Sequence, residues 1–314
     1  MRLFPGISGV RWMSPLRAVV GAFAFWVVGA TASPFEFAVT GDTPYSPDER
    51  VLVERMLQQW QAEPLAFAVH IGDIKSGHGS CRDATYTDRH ALLDASPIPL
   101  VLLPGDNDWT DCDRFMAGGY DPEERLAKLR RTFFADDQSL GQRRLTLERQ
   151  SDQFEVCCVE NRRWWHDGVP FVTLHVVGSA NNRGNGDEPR AEYVGRDAAT
   201  VAWLLDGFAV AKQRDAPAIV LFIHADPDLL RASFRPVYAT FLQTLEAAAK
   251  DFGKSVLLVH GDTHRYVLDH PWIRRGVPNL LRLETFGSPT VGWVRVRVDP
   301  ESTAIFRIEP GKPH

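Results

Sequence analysis

Five segments of this chain place oxygen and nitrogen donors directly after short apolar runs. Residues 35–40 lead into Gly41-Asp42-Thr43-Pro44-Tyr45, 66–71 into Gly72-Asp73-Ile74-Lys75, and 99–103 into Pro104-Gly105-Asp106-Asn107-Asp108. Residues 218–223 lead into His224-Ala225-Asp226, and 255–259 into His260-Gly261-Asp262-Thr263-His264. One Gly-Asp pair after a strand is ordinary turn chemistry, because both residues favour turns. Five such loops in succession are the clustering of ligand types that marks a metal site. Glycine ahead of the acid lets the backbone turn sharply and leaves room for a ligand.

Positioning these loops requires strands that end at one rim. The apolar runs alternate with helical patterns, which argues for an α/β layered architecture with partly parallel sheets. In such sheets ligands bind beyond the carboxyl ends of strands. Ser46 reads as a helix N-cap, with Pro47 in the first turn and Glu49 completing a capping box. Leu52, Met56, Leu57 and Trp60 give that helix an apolar face. Further helices are expected over 197–212, with Val201, Leu204, Leu205 and Phe208 on one side, and over 236–251, ended by Gly253. Residues 171–177 read as another strand. From 281 onward the pattern becomes hairpin-like (281–285, 291–298, 304–308), predicting a second sheet packed on the first. Residues 111–153 are polar and Arg-rich, with a helical piece near 123–134, and read as an insertion over one edge. Residues 181–190 form a long polar loop, and such loops are often functional.

The first 32 residues stand apart. Arg2, Arg11 and Arg17 precede the apolar stretch 18–30, and Ala30-Thr31-Ala32 is a small-x-small cleavage signature. This is the pattern of a secretory signal peptide. The apolar stretch is short for a membrane span of roughly 20 residues. The expected organisation is therefore a leader over 1–32 and one catalytic domain over 33–314, exported to the periplasm or secreted, with no membrane span after cleavage. A net charge of −5 and no basic run disfavour nucleic acid as an obligate partner. Export implies an oxidising compartment. Cys81 and Cys112 each lie a few residues beyond a donor loop; if those loops meet, a disulfide between them is expected, the alternative being two free thiols. The vicinal Cys157-Cys158 is assigned no function.

The ordered motifs resemble those of the calcineurin-like metallophosphoesterase superfamily: D-x-H, G-D, G-N-H-[DE], a strand-end His, and G-H-x-H. The resemblance runs from Thr40 to about Arg265. It implies a β-sandwich flanked by helices around a two-metal site that hydrolyses phosphate mono- or diesters by metal-activated water. Carried over residue by residue, Asp42, Asp73 and His264 would bind one ion, and Asp73 would bridge. Asp73, the third-motif residue, His224 and Asp262 would bind the second. Aligned without a gap, Asp106 is the third-motif ligand and Asn107 takes the place of the catalytic histidine; shifted by one, Asn107 is the ligand. The implied partner is a small phosphorylated substrate.

Three positions depart from the pattern. Pro44 stands where the family has a histidine, with Tyr45 beside it as a candidate phenolate ligand or hydrogen-bond donor. Asn107 cannot give up a proton, which leaves His260 as a candidate general acid. Asp262 replaces a further histidine. Carboxylates gained at the expense of nitrogen donors favour harder ions, manganese or magnesium, over zinc, with iron also used by the family. Lys75 is a candidate contact for substrate phosphate, or a solvated amine. His70 and His175, inside apolar runs, are expected to be structural, and His78 to lie in an exposed loop. Asn181 and Asn182 are placed to reach the site. The altered motifs support a second reading, a degenerate member that binds metal or a phosphorylated ligand without turnover. No G-x-S-x-G elbow occurs, which argues against a serine hydrolase.

Overall fold

The computed structural model describes residues 33–150, 158–231 and 233–311. The expected leader and Cys157 lie outside the described residues.

Two sheets pack face to face. The first has five strands in the order β12-β11-β1-β2-β3, from β1 (Phe35–Thr40), β2 (Leu65–His70), β3 (Leu100–Leu102), β11 (Val294–Val298) and β12 (Phe306–Pro310). The second has seven in the order β4-β5-β6-β7-β8-β10-β9. Its strands are β4 (Glu148–Arg149), β5 (Arg162–His166), β6 (Val169–Thr173), β7 (Ala218–Phe222), β8 (Ser255–His260), β9 (Val267–Asp269) and β10 (Leu280–Glu284). The donor-bearing strands are parallel within each sheet: β1 with β2 and β2 with β3, then β6 with β7, β7 with β8 and β8 with β10. Their carboxyl ends consequently share a direction.

The period of two sorts side chains between layers. Phe37 and Val39 of β1 face the inter-sheet core with Phe67, Val69, Val220, Phe222, Leu257 and Val259. Ala38 and Ala68 point the other way, against Val53, Met56 and Trp60. On β7 and β8, Ile219, Leu221, Val256 and Leu258 meet Leu204, Phe208, Leu242 and Leu245 on the outer helices. The result is a helix–sheet–sheet–helix sandwich. Helices α1 (Pro47–Gln59), α2 (Asp83–Asp94) and α3 (Pro122–Phe133) cover the first sheet; α4 (Ala191–Gln213) and α5 (Ala239–Phe252) cover the second. Gly253 closes α5 in the left-handed conformation expected of a C-cap.

The structure corrects three details. Glu49 does not reach back to the cap residue: it accepts from the Tyr45 amide at 2.7 Å and from the Ser288 hydroxyl at 2.7 Å. The terminal strands do not form one meander, since β10 pairs with β8 and β9 in the second sheet while β11 and β12 extend the first. The polar segment beyond Asp111 is built into the body, with Leu126, Leu129 and Phe133 of α3 buried in the core under the first sheet.

Candidate metal centre

Left-handed backbone at Asp42, Asp73, Asp262 and His264 turns each side chain back over the strand ends. Aspartate tolerates that conformation better than most residues. Two groups of donors result: Asp42, Asp73 and His224, and Asp106, His224 and Asp262, each with ligand atoms within 4.8 Å of one another. His224 Nε2 lies 3.0 Å from Asp106, 3.4 Å from Asp73 and 3.9 Å from Asp262. Its Nδ1 donates to the Ile71 carbonyl at 2.8 Å, which fixes the ring and aims Nε2 at the carboxylates. His264 Nε2 is 3.6 Å from Asp42, and its Nδ1 donates to the Ser288 carbonyl at 2.6 Å.

The electrostatics call for cations. Asp42 is fully buried, and among the described residues its Oδ1 has no hydrogen-bond partner. Burial pushes its carboxyl up to about 7, against the pull of His224 and His264. Asp73 is raised by burial and by its neighbours Asp106, Asp108 and Asp42, and Asp262 is raised by burial and Asp106. Burial disfavours the His224 cation, yet Asp73, Asp106 and Asp42 hold its pKa well above the ordinary range. Burial also works against ionised Asp106, but the His224 and Ser179 hydrogen bonds keep its pKa at about 2. Four carboxylates around one central imidazole, with a bare buried oxygen on Asp42, fit a pair of divalent ions.

The third motif divides its labour. Asp106 points to His224. Asn107 turns to Asp73, donating its backbone N–H to Oδ1 at 3.0 Å and its amide nitrogen to Oδ2. Asp108 is wholly buried and accepts from the backbone N–H groups of Asp73 (2.9 Å), Ile74 (2.8 Å) and Gly105 (2.8 Å), locking the second loop to the third. A Cβ on Gly105 would collide with the Asp73 carboxylate, so this contact requires glycine.

Tyr45 donates to Asp73 Oδ2 at 2.8 Å and lies 3.3 Å from His264 Nε2. Burial, with the Asp73 and Asp42 charges, raises its pKa. Lys75 is buried, with Nζ donating to the Ser76 carbonyl at 3.2 Å, and burial lowers its pKa against the pull of Asp108 and Asp73. His260 is buried beside the cluster but hydrogen-bonds to none of its carboxylates. Its Nδ1 faces the Gly261 carbonyl, its Nε2 has no partner, and burial lowers it to about 4. His70 and His175 are buried, the first against the Thr43 carbonyl and the second against Glu160; His78 is exposed. Asn181 and Asn182 bond to Val177, Thr110, Glu192 and Arg196 rather than to the cluster.

Sequence reasoning missed four participants: Asp108 as the clasp, Glu49 under the first loop, and Ser179 and Asp111 at the rim. Ser179 Oγ lies 2.8 Å from Asp106 and 2.7 Å from Asp111, so its single hydrogen serves one or the other. No local pattern announces these contacts. The bridge Cys81–Cys112 is present, with a Cα separation of 5.7 Å.

No protein-family model matches the chain, and no curated protein matches it in sequence. In architecture it is similar to a dimetal phosphatase from Danio rerio, with a TM-score of 0.54 at 14% identity over 83% of this chain and 92% of that one. It is also similar to the purple acid phosphatase PPD1 from seeds of yellow lupin, Lupinus luteus, with a TM-score of 0.50 at 13% identity. That alignment covers 85% of this chain and 50% of the lupin protein, so the chain spans half the latter's length. The fold is that of the calcineurin-like metallophosphoesterases.

Proposed function

We propose that this protein is a metal-dependent phosphoesterase acting on a small phosphorylated substrate. The observation that carries the reading is the convergence of Asp42, Asp73, Asp106, Asp262, His224 and His264 from the strand ends of both sheets. When bound there, a divalent pair supplies activated water and charge stabilisation for in-line displacement at phosphorus. The chain's own groups prepare the site. Asp42 and His264 would hold one ion, Asp106, His224 and Asp262 the other, with Asp73 between them. Tyr45 and Asn107 hydrogen-bond to Asp73 and fix its carboxylate plane. His224 and His264 each donate Nδ1–H to a carbonyl, so Nε2 is the free donor atom.

The carboxylate-rich donor set supports manganese or magnesium ahead of zinc. Among the described residues no helix is long and apolar enough to cross a membrane. Export remains part of the proposal, supported by the leader pattern and by a buried disulfide suited to an oxidising compartment. The test is hydrolysis of an aryl phosphate by protein loaded with manganese. Turnover above the metal blank that Asp73→Asn abolishes supports the enzyme. Metal binding without turnover would replace it with a non-catalytic binding protein.

A further inference from the structure

Two cations at the rim are left over once the ligands are assigned. Arg114 follows the turn that carries Cys112. Its Nη2 pairs with Asp111 at 2.5 Å and lies 3.4 Å from Ser179 Oγ, which itself lies 2.8 Å from Asp106. Among the described residues its Nη1 and Nε have no hydrogen-bond partner. Arg114 Nη1 and Asn107 Oδ1 lie 2.5 and 2.6 Å from the point that a Cβ on Gly77 would occupy, so the guanidinium reaches over the third motif only because residue 77 is glycine. The side chain is 42% exposed and therefore open to a ligand. Lys75, buried nearby, uses one of three ammonium donors on the Ser76 carbonyl.

The elements around Arg114 are built at a cost. Ser179, Ala180, Asn181 and Asn182 all have left-handed φ, from 46° to 55°. Left-handed backbone is disfavoured away from glycine, least for asparagine, and strain of this kind collects at functional sites. Buried Arg196 holds the turn through Asn181 Oδ1 (2.7 Å), the Asn181 carbonyl (2.8 Å) and the His175 carbonyl (2.9 Å). The turn's product is Ser179, set between Asp106, Asp111 and Arg114. From the other side, the Cys81–Cys112 bridge ties the loop of Lys75 and Gly77 to the turn of Arg114.

We propose that Arg114, backed by Lys75, receives a second anionic group of the substrate, so that the preferred phosphoester carries a further phosphoryl group beside the scissile one. Guanidinium geometry suits phosphate oxygens, and Arg114 Nη1 lies beside Asn107 of the third motif on a half-exposed side chain. The inference rests on the phosphoesterase reading and narrows its substrate class.

The test compares a hexose 6-phosphate with a hexose 1,6-bisphosphate under manganese, in the parent protein, Arg114→Gln and Arg114→Lys. Arg114→Gln is expected to raise KM for the bisphosphate about 10- to 100-fold, with kcat nearly kept, and to affect the monophosphate at least tenfold less. Arg114→Lys is expected to recover part of the loss. An equal change on both sugars, or none on either, overturns the proposal and leaves Arg114 as the surface partner of Asp111. If the parent hydrolyses neither sugar but turns over the aryl phosphate, the phosphoesterase reading stands, and calorimetric binding of the bisphosphate decides this proposal separately. Weakening of tenfold or more in Arg114→Gln keeps the anion site; unchanged binding removes it.

Discussion

Asp262 stands where the resembling family carries a histidine, and its carboxylate joins Asp106 around His224. A carboxylate there hardens the donor set and adds negative charge to a site already raised toward protonation. Returning a nitrogen donor with Asp262→His should raise the ratio of zinc to manganese affinity by about an order of magnitude. Competition titrations against a chelator would measure it, and an unchanged ratio would refute the hard-site argument. At this scale the proposed ligands were legible because aspartate and histidine after a strand carry their chemistry in their type. Asp108 was not. It sits in the same motif with the same side chain, yet caps three backbone N–H groups, and only the approach of the Asp73 loop assigns it that work. Asp106 and Asn107 could not be told apart by alignment. The structure separates them by direction, one toward His224 and the other toward Asp73.

Among elements, the strands beneath the donors were readable because their apolar runs serve two cores at once, as the alternation of Phe37, Ala38 and Val39 shows. Helix α2 was not readable: its buried face is only Tyr86, Leu92 and Leu93 among polar residues. Strand β5 was hidden for a related reason, since Arg162 and Arg163 are buried in it and satisfied by carbonyls and carboxylates. The left-handed turn at Ser179 breaks the conformational rules on which sequence reading depends. The disulfide acts at this scale too, joining the segment before α2 to the turn after β3 across 31 residues. Loop-closure entropy for that separation is worth about 3.5 kcal/mol. The double variant Cys81→Ala/Cys112→Ala should lose about that much stability by urea denaturation. A loss below about 1 kcal/mol would mean that packing around Tyr86 and Arg125 already holds the loops, and that the bridge is not the clamp.

For the whole molecule, the sandwich buries carboxylates at the rim of its own core, and the consequence is a fold whose stability is linked to cations and protons. Asp42 illustrates the sign. Its carboxyl titrates at about 7 in the cation-free fold against an ordinary 3.8. Between those values the unfolded chain has released the proton and the folded chain retains it. Asp42 therefore lowers the stability of the cation-free fold as pH rises from about 4 to about 7. A divalent ion binds the ionised carboxylate, so at pH 6 its binding must expel that proton, whereas at pH 8 the proton is already gone. Manganese titrations by calorimetry, in two buffers of different ionisation enthalpy, should show about one more proton released at pH 6 than at pH 8, beyond those that His224 and Asp73 give up. At a hundred times Kd the bound ion should add about 2.7 kcal/mol of stability, read as a rise of roughly 5–10 °C in Tm. The Asp73→Asn variant should lose most of that rise, because it removes the carboxylate lying between both donor groups. If proton release is the same at pH 6 and pH 8, Asp42 is not displaced by the ion, and the first of the two cation positions is wrongly placed. If it is greater at pH 6, the raised carboxyl of Asp42 measures the charge imbalance that a bound cation would relieve at the rim.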